Sequence, residues 1–253
     1  MTLADAKYQY LLRMGDNALI LGHRLSEWCG HGPILEQDIA MTNIALDQVG
    51  QARSLLQYAA QLEGKGRTED DLAYKRDVME YRNVLLVEQP NEDFAYTIVR
   101  QFLFDTFNFL LHKSLVHSED EHLKAIAEKS LKEITYHLRY SSEWMIRLGD
   151  GTAESHQKIQ TALDDLFIYT GELLTPDAVD QAISEAGIGP DFTALQAPYQ
   201  AKIDDILQQA TLQKPEVKYM QSGGKDGRMH TEHLGYILAE LQFVQRAYPN
   251  MEW

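Results

Sequence analysis

Residues 102–109 read FLFDTFNF, and this stretch constrains the fold more tightly than any other. Asp105 is its one ionisable residue, among Phe102, Leu103, Phe104, Phe107 and Phe109. A helix with that pattern is apolar all round and belongs inside a protein. An ionised carboxylate there is costly unless it is paired, protonated or bound to a metal. Working outward, Asn91 reads as the N-cap of a helix over 92–116. Ser118 and Glu121 form an S-x-x-E capping box that opens another. Leu123, Ile126, Ile134, Leu138, Met145 and Leu148 give this second helix its apolar face, and Gly149 with Gly151 ends it.

The first quarter of the chain repeats the arrangement. Tyr8, Leu11, Leu12, Leu19 and Leu25 recur at helical spacing over 3–28. CGHGP (29–33) closes that helix, and Pro33 suits the first turn of a second over 33–62. Leu35, Ile39, Leu46, Val49 and Leu56 mark the core side of the second helix, which EGKGR (63–67) ends. The connection 68–90 predicts one short helix near 71–81. Beyond 150, helices are expected over 153–173, 178–185 and 191–210. A loop SGGKDG (222–227) follows, then a last helix from Thr231 through Ala247 before the tail YPNMEW. Two long hairpins followed by shorter helices predict an all-α protein: a ferritin-like four-helix bundle over 1–150 with a helical extension over 151–253, in one domain.

Composition removes several classes of function. The 253 residues are 44% apolar, enough for a real core. A formal net charge of −15 argues against nucleic acid or an anionic membrane as partner. Cys29 is the only cysteine, so a disulfide within the chain and a thiolate cluster are both excluded. The N-terminus lacks a basic start and apolar run, and no stretch approaches the ~20 apolar residues of a membrane span. A cytoplasmic location is expected.

Each long helix carries one acidic residue near its middle: Asp16, Asp47, Asp105 and Glu133. In each hairpin one carboxylate can face another, as in the di-iron carboxylate bundles, where Glu-x-x-His on two helices also supplies an imidazole to each metal. The imidazoles are missing here. Gly50 stands three residues after Asp47 and Tyr136 three after Glu133; His137 follows one place too late. These seven positions read as the remains of a two-metal site, with no catalytic residue, cofactor or metal expected in this chain. His23, His112, His137 and Arg13 are the candidates to offset carboxylate repulsion. SGGKDG lacks the Walker pattern and reads as a surface turn. HTEH (230–233) does not have HExxH spacing and reads as a helix entrance.

Five stretches together, MGDNALILGHRLSEWCGHGP, ALDQVGQAR, LLVEQPNEDFA, EITYHLRYSSEW and GGKDGRMHTEHLGYILAELQ, resemble the structural PaaC family of ring 1,2-phenylacetyl-CoA epoxidase components. The resemblance implies a non-catalytic structural subunit of a multicomponent monooxygenase in aerobic phenylacetate breakdown. It also implies partners: a homologous catalytic A subunit that holds the di-iron centre, and further subunits including a reductase. Such a chain works by burying a face of its first hairpin against the A subunit. Leu12, Ile20, Leu21, Ile44 and Leu55, which exceed one apolar stripe, are the expected docking residues. Two other readings also fit the residues. The chain could be an oxygenase component binding iron itself through Asp16, Asp47, Asp105, Glu133 and His137, or a free-standing helical interaction protein.

Overall fold

Helices α1 (Leu3–Ser26) and α2 (Leu35–Glu63) approach so closely that Gly15 has no room for a side chain. A Cβ there would lie 2.7 Å from Leu56 Cδ2, and one at Gly22 would lie 3.1 Å from Val49 Cγ2. Two glycines one heptad apart thus set the contact along this pair. The second long pair is α5 (Phe94–Leu115) and α6 (Glu121–Gly149), with α2 touching α6 between the pairs. The computed structural model describes residues 1–249 and 251, and no strand occurs among them. Asn250, Glu252 and Trp253 of the expected tail lie outside the described residues.

The pairs are joined by α3 (Glu69–Tyr74), a 3-10 turn Val78–Glu80 and α4 (Leu85–Glu88). A single helix over 71–81 is therefore corrected to two short pieces, and α4 is an element that periodicity does not predict. After α6 come α7 (Ala153–Leu166), a 3-10 turn Phe167–Thr170, α8 (Gly171–Leu174), α9 (Ala178–Glu185) and α10 (Phe192–Gln209). Helices α7 and α10 lie on α5 and α6, whereas α9 lies on α1. The final helix is two, α11 (Glu232–Leu241) and α12 (Phe243–Ala247).

Several caps differ from expectation because a neighbouring group competes for the side chain. Asp93, not Asn91, caps α5, since Asn91 spans to Arg24 O at 2.8 Å and accepts from Arg100 at 2.8 Å. Asp120 caps α6, while Ser118 donates to Ile188 O at 2.7 Å. Pro33 precedes α2, whose N-cap is Ile34.

The burial of the first hairpin inverts the expectation for α2. Leu12, Ile20, Leu21, Ile44 and Leu55 are all inside. Leu35, Ile39, Leu46 and Val49 are 72%, 52%, 65% and 40% exposed, although Leu56 is buried. Helix α2 carries two apolar stripes at helical spacing. The inner one is built from Met41, Ile44, Ala45, Ala52 and Leu55, with Gln48 and Gln51 among them. Small and polar residues mark the buried face because α1 leaves little depth there. Helix α1 is enclosed on nearly every side from Tyr10 to Leu25, its polar residues Arg13, Asp16, Asn17 and Arg24 included.

Candidate functional site

Asp105 sits mid-way along α5, 1% exposed, and accepts a hydrogen bond from Ser141 Oγ of α6 at 2.8 Å. Burial pushes its carboxyl pKa up to about 6; the charge of His137, the Ser141 hydroxyl and Arg100 oppose the rise. Its other oxygen, Oδ1, has no hydrogen-bond partner among the described residues. His137 is buried, and its Nε2 lies 3.0 Å from Asp47 Oδ2 on α2. Its Nδ1 is likewise without a partner. Beside this pair Gln51 Nε2 donates to Glu133 at 3.2 Å. A line of polar groups therefore runs inward from Asp47, whose side chain is 34% exposed, through His137 toward Asp105.

The remaining expected positions lie elsewhere. Asp16 is fully buried, but its carboxylate is gripped by the guanidinium of Arg76 and accepts from Arg82 N at 2.8 Å. It thus belongs to the α3–α4 connection and does not face Asp47. Arg13 also turns away from Asp105, donating to Asp177, Asp180 and Lys225 O. Gly50 is on the outer side of α2, where an added Cβ would meet nothing within 4 Å. Tyr136 is 40% exposed with Arg139 over its ring. His112 is enclosed, its Nδ1 3.0 Å from Asn108 O, and burial depresses its pKa to about 4. Burial lowers His23 too.

A two-metal centre needs several carboxylates and an imidazole converging on each ion. Here Asp16 is occupied by two arginines' donors, Gly50 offers no side-chain donor, and Tyr136 faces outward. Among the described residues no three His, Cys, Asp or Glu side chains form a group able to hold a metal ion. The donor set does not fit a di-iron site.

The family described as phenylacetic acid catabolic protein, which joins the PaaA and PaaC proteins, matches residues 2–253. The chain belongs to this family. It is similar to the C component of the 1,2-phenylacetyl-CoA epoxidase of Escherichia coli (strain K12): 49% identical over 244 residues, covering 96% of this chain and 98% of that one. For a PaaA/PaaC chain, a polar layer inside a helical core without converging ligands is the feature to explain. Among the described residues, no helix is long and apolar enough to cross a membrane.

Two buried glutamates escape a reading of the sequence, and they account for both leftover motifs. Glu88 of α4, 0% exposed, accepts from Asn83 Nδ2 (2.9 Å), Thr231 N (2.8 Å) and Thr231 Oγ1 (2.6 Å), and pairs with His230 Nδ1. HTEH is thus a clasp, and Thr231 spends its hydroxyl on Glu88 instead of on its own helix. Glu172 accepts from the backbone of Leu85 (2.5 Å), Gly223 (3.1 Å) and Gly224 (3.1 Å). SGGKDG is therefore no surface turn: its amides wrap a buried carboxylate. A Cβ on Gly224 would lie 2.4 Å from Asn83 O, so only glycine fits there. Sequence alone offers one hint, an acidic residue inside each of the apolar runs LLVE and GELL.

Proposed function

We propose that this chain is the non-catalytic, C-type component of a 1,2-phenylacetyl-CoA epoxidase acting in aerobic phenylacetate breakdown in the cytoplasm. In this reading it is a single ferritin-like domain. Residues 1–150 form a four-helix bundle of two long hairpins, and 151–253 are its helical extension. It holds neither metal nor cofactor; a homologous A subunit holds the di-iron centre, and a reductase feeds it electrons.

The near full-length likeness to the E. coli protein carries the reading. The outer face of α2 supports the pairing role. Leu35, Ile39, Leu46 and Val49 follow one another at spacings of four, seven and three residues, which lines them up on one side. Bare Gly50 leaves that side smooth. Permanent hetero-complexes bury ~2,000 Å² or more with apolar centres, and such a face supplies one. This stripe replaces Leu12, Ile20, Leu21, Ile44 and Leu55 as the docking residues.

The test is reconstitution. The A subunit with its reductase should turn over phenylacetyl-CoA only when this chain is added, with the iron count of the complex unchanged. Full turnover without it, or two irons tightly held by this chain alone, would overturn the assignment in favour of an iron-binding oxygenase component. Failure to associate with the other proteins of the epoxidase would leave a free-standing interaction protein.

A further inference from the structure

Gln48 and His112 face a small chamber between α1, α2 and α5 with polar atoms that no group among the described residues satisfies. Gln48 is 0% exposed and both its amide atoms, Nε2 and Oε1, lack partners. His112 is 2% exposed and its Nε2 lacks one. Leaving such atoms unpaired costs roughly 1–3 kcal/mol each. The chamber they share has a volume of about 10 Å³, with Met14, Ala18, Leu55 and Leu111 on its apolar walls. That is about the space of one water molecule.

The chemistry of the two side chains suits water and little else. His112 Nδ1 lies against Asn108 O, an acceptor, so Nδ1 carries the hydrogen and Nε2 presents a lone pair. Burial keeps the ring neutral at pH 7. Gln48 offers both a donor and an acceptor. We propose that this chamber is a binding site for one ordered water, which donates to His112 Nε2 and accepts from the Gln48 amide. The water joins α2 to α5. A second chamber of about 30 Å³ shares Met14, Asn17, Phe107 and Leu111 with the first. The buried Tyr10 Oη, without a partner among the described residues, lies on its wall.

Methyl-labelled, otherwise deuterated full-length protein tests the site by NMR. The methyls of Met14 and Leu111 should show water cross-peaks with the sign of a molecule resident longer than about a nanosecond, whereas Met145, fully buried in α6, should show none. In Gln48→Leu/His112→Leu the Met14 and Leu111 cross-peaks should vanish. A dry chamber in the wild-type spectrum overturns the proposal even if the variant does not fold. Cross-peaks of unchanged intensity in a folded variant overturn it as well.

Discussion

Arg76 and Asp16 form an ion pair sealed from solvent, with side chains 3% and 0% exposed. Arg76 also donates to Leu72 O and Glu80 O, so one guanidinium ties the connection after α2 to the centre of α1. Removing one partner strands a buried charge, at a cost of about 3–5 kcal/mol. Arg76→Met and Asp16→Leu should each lose that much in urea unfolding. The double variant should lose clearly less than the two singles added together. Strict additivity would show that the pair is not coupled.

Asp105 gives the stability curve a distinct slope. Its folded-state pKa, about 6, is above its ordinary 3.8, so the folded form holds the proton more tightly. Its cost is absent below about pH 4, grows as pH rises to about 6, and is complete above that. Asp105→Asn should therefore stabilise by about 2–3 kcal/mol at pH 8 and have little effect near pH 4. Denaturant titrations at the two pH values check the difference. A gain that is equal at both would mean the carboxylate is not the source.

His112 acts in the opposite sense. Its folded pKa, about 4, is below its ordinary 6.5, so its neutral form is favoured and its contribution is lost as pH falls from 6.5 to 4. His112→Gln should cost stability at pH 7 yet flatten the decline across that interval. Combining the substitution with Asp105→Asn separates the two slopes. An unchanged acid limb in His112→Gln would assign the decline to other groups.

The outer stripe of α2 should matter to assembly and not to folding. Leu46→Lys, at a position 65% exposed, should change unfolding free energy by about 0.5 kcal/mol or less. Affinity for the proposed A-subunit partner should fall at least tenfold, which is about 1.4 kcal/mol. Sedimentation of the two proteins mixed reads the second quantity. Retained binding by Leu35→Lys/Leu46→Lys would move the interface to another face.

The helices are legible because their apolar residues repeat at helical spacing, and 178–185 coincides with α9. The choice of buried face on α2 is not. Leu35, Ile39, Leu46 and Val49 make the more hydrophobic stripe, and only the close approach of α1 at Gly15 and Gly22 selects the stripe of small and amide side chains. Of the expected site, FLFDTFNF does place Asp105 inside, and Asp47, His137 and Glu133 lie along the α2–α6 contact. Asp16 departs from expectation because its partner Arg76 lies 60 residues away, beyond what periodicity reports. The clasps at Glu88 and Glu172 are invisible for the same reason, their donors being 143 and 52 residues distant.

Those two clasps impose an order on biogenesis. During synthesis the segment carrying Glu88 and later Glu172 leaves the ribosome well before residues 223–231 exist to supply their donors. A nascent chain at that point holds two carboxylates committed to an apolar interior, Glu88 with Asn83 and Glu172 with the Leu85 amide but without the donors of residues 223–231. Contacts of such long sequence separation form slowly. The closing step belongs to the last stretch translated, and a chain cut short before Gly223 remains open to chaperones and proteases however well its long helices have formed.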